Sequence, residues 1–91
     1  MGSDAPWRVV WTDRVYDDLV ALDKTTAGKI IMRVETYLAK DPAKLGKPLT
    51  GPLAGIFRYR YGDYRILYVM DLETRVVTVL AIGHRREIYR N

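Results

Sequence analysis

Residues 57–69, FRYRYGDYRILYV, constrain the fold of this chain more than any other segment. Aromatic or aliphatic residues alternate with arginines, and a Gly-Asp pair interrupts the alternation. A period of two is typical of a β-strand with one buried face, and a Gly-first pair is typical of a two-residue hairpin turn. The segment therefore predicts a β-hairpin with one aromatic face and one face that carries Arg58, Arg60 and Arg65.

The predicted turn also sets which side chains of the hairpin lie opposite one another. Arg60 should face Arg65, and Arg58 should face Leu67. Like charges directly opposite each other destabilise a hairpin by about 0.2–1 kcal/mol, whereas an arginine guanidinium offers a planar fork of donors that fits phosphate. We favour an anion site over a solvated surface, because acidic residues are scarce after residue 44. The side chains predicted to face the core are Phe57, Tyr59, Tyr61, Tyr64, Ile66, Tyr68 and Met70.

The other segments predict two helices and two more strands. Pro42 should end the second helix, because the residue before a proline avoids the helical region. The predicted elements are a strand at 7–11, a helix beginning at Thr12-Asp13, a helix at about 26–40, a loop at 41–55 and strands at 56–61, 64–70 and 75–82. The predicted apolar stripes are Val15, Tyr16, Leu19, Val20 and Leu22 in the first helix and Ile30, Ile31, Val34, Tyr37 and Leu38 in the second.

The element order β-α-α-β-β-β predicts a two-layer α+β fold. The N-terminal strand and a helical hairpin should pack on a mainly antiparallel four-stranded sheet. A length of 91 residues suits one domain, so we expect residues 1–91 to form a single unit. No segment remains to cover the second face of the sheet.

The charge of the chain is unevenly distributed. The net charge is +4; residues 1–43 hold six Lys/Arg and seven Asp/Glu, whereas residues 44–91 hold nine and four. This asymmetry suggests a polyanionic partner, either a nucleic acid or an acidic protein. The chain has no cysteine and one histidine, which excludes thiolate and multi-histidine metal sites. No apolar run has the length of a membrane span, and we expect a cytoplasmic protein without a cofactor.

The end of the last predicted strand, GHRREIYR, adds further candidate functional residues. His84 is the only side chain of the chain whose ordinary pKa lies near neutrality. Tyr89 could be a buried aromatic residue, or its hydroxyl could act as an acid among the neighbouring cations.

These motifs together resemble the RelE/ParE superfamily of small bacterial and archaeal toxins. The resemblance rests on LGKPLTGPLAGIFRYRYGDYRILY, on VLAIGHRREIYR and on the element order, and it covers nearly the whole chain. It implies a type II toxin that a cognate antitoxin neutralises in a heteromeric complex. The RelE branch implies an mRNA endoribonuclease that acts in the ribosomal A site without a metal, with the RNA 2′-hydroxyl as the nucleophile.

The resemblance also implies roles for individual arginines. Arg58 and Arg60 match positions where RelE enzymes usually carry paired lysines. Arg65 and Arg85 match two phosphate-binding arginines. The reaction needs an acceptor for the 2′-hydroxyl proton, cations for the phosphorane charge and an acid for the leaving 5′-oxygen.

The titrating groups of the site are predicted to lie elsewhere, because arginine essentially cannot lose its proton. The resemblance makes Tyr89 the acid or a stacking partner for a base, and several relatives have histidine at the position of His84. The remaining candidates for RNA binding are Lys44, Lys47, Arg86 and Arg90.

Two other functions stay open from the sequence. A ParE-like toxin would bind and inhibit DNA gyrase and carry no nuclease site, and a degenerate relative would bind only its antitoxin. Retention of the arginines and of Tyr89 favours the nuclease. An antitoxin of this class would wrap the toxin with an acidic, amphipathic segment that folds on binding.

Overall fold

The computed structural model describes residues 5–84, which form helices packed on one face of a sheet. The elements, in chain order, are β1 (Arg8–Trp11), α1 (Asp13–Val20), α2 (Lys24–Thr36), α3 (Pro42–Leu45), β2 (Lys47–Pro48), β3 (Phe57–Tyr61), β4 (Tyr64–Asp71) and β5 (Val76–His84), with single 3-10 turns at Leu38–Lys40 and Gly51–Leu53.

The sheet of the described residues has the strand order β1-β5-β4-β3-β2. β1 is parallel to β5, and the other neighbours are antiparallel. The predicted α+β class is confirmed, but the predicted strand number was one too low. The missed strand β2 has only two residues, Lys47 and Pro48, which pair with Arg58 and Phe57. Two residues are too few for a period-two pattern, so the segment was predicted as a loop.

The second helix is shorter than predicted. α2 begins after Asp23, whose carboxylate accepts hydrogen bonds from the Thr26 amide (3.0 Å) and the Thr26 hydroxyl (2.6 Å). It ends at Thr36 rather than near Lys40, and a 3-10 turn follows. Pro42 does not lie in a loop but opens α3, because proline at the first helical position needs no amide hydrogen for the helix.

The hydrophobic core lies between the helices and the sheet. Three side chains of the predicted stripes do not belong to it: Tyr16 is 57% exposed, Val20 is 83% exposed and Tyr37 is 42% exposed. A helix buries one limited stripe, and in α1 that stripe contains Val15 and Leu19. The buried cluster comprises Val15, Leu19, Ile30, Val34, Leu38, Tyr59, Ile66, Tyr68, Val77, Val79 and Ile82.

The hairpin of β3 and β4 has the predicted register. Arg60 pairs with Arg65, Arg58 pairs with Leu67, and Tyr61 pairs with Tyr64 across the turn. The first turn residue, Gly62, has a φ of 59°, and the φ of the next residue, Asp63, is not positive. This combination is that of a type II′ turn, whose twist matches the twist of the flanking strands.

The pairing of β4 with β5 contains an irregularity. Leu67 pairs with Ala81 but Tyr68 pairs with Val79, so Leu80 is an extra residue on β5. Such a bulge shifts the alternation of the strand by one position. Beyond it, the Ile82 amide donates to the Asp18 carboxylate at 2.9 Å, which joins β5 to α1.

Candidate functional site

The candidate site lies on the sheet face that carries Arg58, Arg60 and Arg65, which we call the arginine face. Directly paired residues of antiparallel strands project to the same side of a sheet. Arg60 and Arg65 are such a pair, and Arg58 lies two residues from Arg60 on the same strand. The helices pack on the opposite face, with the tyrosines of the hairpin. The three predicted arginines are therefore neighbours in the folded chain.

Arg65 is the buried member of the arginine face. It is 7% exposed, whereas Arg58 is half-buried and Arg60 is exposed. Its Nε and Nη1 atoms are enclosed, and neither has a hydrogen-bond partner within the described structure. A buried charge without a partner is costly, and each unsatisfied buried donor costs about 1–3 kcal/mol. The fold thus holds a buried guanidinium with two unpaired donors on the same face as the exposed Arg60.

The strand neighbours of Arg65 do not neutralise it. Its partner on β3 is Arg60, and its partner on β5 is Gly83, which has no side chain. Within residues 5–84 the single ion pair joins Arg14 to Asp18 at 3.7 Å, on α1. The arginine face therefore has an excess of positive charge around Arg65.

Lys47 joins the arginine face through β2, because it pairs with Arg58. Lys47, Arg58 and Arg60 line a cavity of about 240 Å³, together with Leu45 and Tyr59. Lys47, which was predicted to bind RNA, therefore lies next to the arginines. Its place could not be derived from the local sequence, since the two-residue strand that carries it has no periodicity of its own.

The structure places His84 on the opposite face from the arginines. His84 pairs with Tyr64, and the two rings meet edge to face with centroids 6.1 Å apart. β5 runs through Gly83 without the bend that could have turned His84 toward Arg65. The proposed catalytic role of His84 therefore has no support from proximity to the three arginines.

The remaining predicted site residues differ in what can be said of their positions. Lys44 is exposed on α3. The others, Arg85, Arg86, Tyr89 and Arg90, lie outside the described residues. Their roles remain predictions.

The hydroxyl of Tyr68 fixes the segment that leads to β2. It donates a buried hydrogen bond to the Pro42 carbonyl at 2.6 Å. Burial raises the pKa of Tyr68 well above its ordinary value, and the neighbouring Tyr59 adds to the rise. Gly46 lies against this hydroxyl so closely that a Cβ atom there would overlap it. This contact positions the chain just before Lys47.

Two further cavities lie on the helices. Lys29 and Arg33 of α2 lie beside Tyr61 of β3 and line a cavity of about 240 Å³. A more apolar cavity of about 380 Å³ lies where α1 and α2 meet, and Tyr16, Val20 and Ile31 contribute to it. The apolar cavity is lined mainly by side chains of the predicted apolar stripes, whereas the cavity beside Tyr61 was not predicted because it joins α2 to a strand far away in sequence.

The described part of the chain has neither a membrane-spanning helix nor a cluster of metal ligands. No helix there is long and apolar enough to cross a membrane. No group of three or more His, Asp or Glu side chains in residues 5–84 could hold a metal ion.

The fold and the site together define a small two-layer α+β protein with an arginine-bearing sheet face. A family model described as the ParE toxin of type II toxin–antitoxin systems, parDE, matches residues 9–89. The chain belongs to this family of toxins, within the RelE/ParE superfamily.

Named relatives and solved structures agree with this membership. Toxin RelG of Mycobacterium tuberculosis is 36% identical over 85 residues, which are 93% of this chain and 98% of RelG. Toxin RelE of the same organism is 34% identical over 90 residues, or 99% of this chain and 93% of that toxin. A chain of the M. tuberculosis RelBE2 toxin–antitoxin complex superposes with a TM-score of 0.86 at 32% identity, covering 96% of this chain and 100% of that one.

A more distant structure shows that the fold extends beyond close relatives. A chain of the RelE–RelB complex of Pyrococcus horikoshii has a TM-score of 0.70 at 24% identity and covers 91% of this chain and 99% of its own. At this identity the likeness establishes the fold alone.

Proposed function

We propose that the chain, as one toxin domain, is an endoribonuclease that cleaves mRNA in the A site of the ribosome and so inhibits translation in the cytoplasm. The observation that carries this proposal is Arg65, a buried guanidinium with two unpartnered nitrogens beside the exposed Arg60. A phosphate diester would bind the exposed Arg60 beside Arg65, and the anion would remove the repulsion between the two arginines. Relatives named RelG and RelE support the same branch of toxins.

The arginines would act on charge rather than on protons. Arg65 would bind a non-bridging oxygen of the scissile phosphate, and its contact would strengthen as charge accumulates in the phosphorane. Arg60 and Arg58 would add positive potential from the adjoining strand. The 2′-hydroxyl would pass its proton to water as its oxygen attacks the phosphorus. The P–O5′ bond would break to leave a 2′,3′-cyclic phosphate, and the 5′-oxygen would leave with a proton from an acid. Tyr89 remains our candidate for that acid.

None of the strand neighbours of Arg65 can serve as a general base for the 2′-hydroxyl. The strand partners of Arg65 are an arginine and a glycine, and His84 projects to the other side. Positioning of the 2′-hydroxyl in line with the leaving oxygen would therefore contribute a large part of the acceleration. The ribosome can supply that positioning, which gives a physical reason for slow cleavage of free RNA.

Primer extension on programmed ribosomes tests the proposed nuclease. The wild-type protein should cut the message within the A-site codon and should cut the free message slowly. Arg65→Ala should lose cleavage by roughly 10²-fold or more, as expected for a group that stabilises transition-state charge. Arg8→Ala is the matched control, because Arg8 is exposed on β1 at the far edge of the sheet. Intact message with the wild-type protein would refute the proposal.

We further propose that a cognate antitoxin neutralises the toxin in a heteromeric complex. Two solved structures that resemble the chain are toxin–antitoxin complexes. The apolar cavity between α1 and α2 suits the apolar side of an amphipathic segment, and the net charge of +4 suits an acidic one. Association with the antitoxin should be fast at low salt and slower as salt rises. An association rate that does not change with salt would argue that burial alone drives the complex.

Inhibition of DNA gyrase is the second candidate function, because the matching family model is described as a ParE toxin. A ParE-like toxin would leave the message intact and reduce supercoiling by gyrase. Measuring supercoiling in parallel with primer extension separates the two functions. Arg65→Ala would then have no message-cleavage activity to remove.

A further inference from the structure

A second basic surface lies on α2, formed by Lys29, Arg33, Tyr37 and Tyr61, which we call the α2 patch. Lys29 and Arg33 are exposed and four residues apart, so they lie on the same side of the helix. Like charges at this spacing destabilise a helix by about 0.2–0.5 kcal/mol. Neither forms an ion pair within residues 5–84. As on the arginine face, folding does not require this placement of charge.

The aromatic side chains of the α2 patch hold Arg33 in place. The Cζ atom of Arg33 lies 5.3 Å from the ring centroid of Tyr37 and 5.5 Å from that of Tyr61. Such cation–π contacts orient the guanidinium plane and leave the donors at its edge free. The side chain is thus arranged for an anionic partner and already stacked against two rings.

The α2 patch adjoins the arginine face around the edge of the sheet. Arg60 and Tyr61 are consecutive residues of β3, and they line the cavities on the two sides of that strand. β2 pairs only with Phe57 and Arg58, so within the described residues the rest of β3 is an edge strand. A chain molecule that leaves the arginine face can therefore pass this edge and reach Lys29 and Arg33.

We propose that the RNA strand bound at the arginine face continues around the edge of β3 onto the α2 patch. The proposal rests on the RNA-cleaving function proposed above and extends its site. Charge alone would also admit an acidic peptide. The combination of exposed cations with tyrosine rings and a stacked guanidinium favours RNA, because bases stack on such groups while the phosphates contact the cations. The α2 patch would bind the nucleotides next to those at the cut.

Binding of 2′-O-methyl RNA oligonucleotides tests the extended path. These probes lack the nucleophilic hydroxyl and cannot be cleaved, and lengths of about 4 and about 12 nucleotides would distinguish a short site from a long one. Wild-type protein should bind the longer probe more tightly. The double variant Lys29→Gln/Arg33→Gln should lose this length-dependent gain and bind the short probe as the wild type does.

Salt dependence gives a second, quantitative readout. Each phosphate contact with a single strand contributes about 0.7 to the slope of log affinity against log salt, so two lost contacts should reduce the slope by about 1.4. The wild-type advantage on the longer probe should then shrink about sevenfold between about 50 and 200 mM salt. Lys29→Gln alone, a change at an exposed helix position, should reduce the slope by about 0.7.

The control variant is Arg8→Gln/Lys24→Gln, which removes the same charge from exposed positions on β1 and at the start of α2. Equal losses in the two double variants would overturn the proposal, because the effect would then be one of net charge. The proposal would also be overturned if Lys29→Gln/Arg33→Gln bound the longer probe with the same affinity as the wild type.

Three further outcomes separate the occupants and the hypotheses. A glutamate homopeptide could bind the wild type as tightly as RNA does and fail to bind Lys29→Gln/Arg33→Gln. That result would assign the α2 patch to an acidic protein instead. If Lys29→Gln/Arg33→Gln bound vacant ribosomes more weakly than the wild type but bound the oligonucleotides equally well, the α2 patch would be assigned to ribosomal RNA. Loss of the length-dependent gain without any message cleavage by the wild type would support the path while refuting the nuclease.

Discussion

Replacement of Arg65 by methionine should stabilise the fold while it removes the proposed function. The two enclosed donors of Arg65, Nε and Nη1, have no partner in the described structure. At about 1–3 kcal/mol each, they destabilise the folded state by roughly 2–6 kcal/mol. Methionine keeps an unbranched apolar stem of similar length, so most of the packing of the arginine stem should survive. We expect the free energy of unfolding of Arg65→Met to exceed that of the wild type by about 2 kcal/mol or more.

Urea unfolding at low ionic strength measures this change. Arg60→Met is the matched control, because Arg60 is exposed and lies directly opposite Arg65. Its removal relieves only the cross-strand repulsion, so the gain should be about 0.2–1 kcal/mol. Added inorganic phosphate should stabilise the wild type by mass action and leave Arg65→Met unchanged.

Two results would refute this reasoning about Arg65. An Arg65→Met protein that is less stable than the wild type would show that the buried guanidinium has compensating contacts. Equal stabilisation of both proteins by phosphate would show that the anion binds elsewhere.

Three further predictions concern the parts of the fold around the site. Gly46→Ala should lower the free energy of unfolding by about 1–3 kcal/mol in urea titrations, because the new methyl group overlaps the Tyr68 hydroxyl; a neutral effect would mean that the segment moves freely. Tyr68→Phe should cost about 0.5–1.5 kcal/mol at neutral pH, because it removes the buried hydrogen bond to the Pro42 carbonyl, which then keeps only the longer bond from the Gly46 amide. Since burial raises the pKa of Tyr68 in the fold, its contribution is complete below its ordinary pKa of 10.0 and declines at higher pH, so the two proteins should converge as alkali is added; a constant difference above that pH would contradict the assignment. Asp23 has a lowered pKa, chiefly through the hydrogen bond from the Thr26 side chain, so its stabilisation of α2 should be present above pH 3.8 and lost as the pH falls through the lower folded value. Asp23→Ala should therefore flatten the acid limb of a helicity-against-pH curve measured by circular dichroism, and an unchanged limb would exclude this cap.

Some features of the hairpin could be predicted from residues 57–69 alone. Alternation assigns each side chain to a face, and the Gly-first turn sets the register; both are local properties of the chain. The pairing of Arg60 with Arg65 was therefore correct. The same reasoning failed for strand number, because β2 is defined only by its contact with β3.

Local sequence patterns were enough to predict the α+β class, the two faces of the hairpin and the arginines that share one of them, because periodicity and turn chemistry act over a few neighbouring residues. The folded structure was needed to show that Arg65 is enclosed while Arg60 is exposed, that His84 projects away from both, and that Arg33 is stacked on Tyr61 of β3. Burial and these contacts depend on the packing of segments far apart in the chain, which no local pattern specifies.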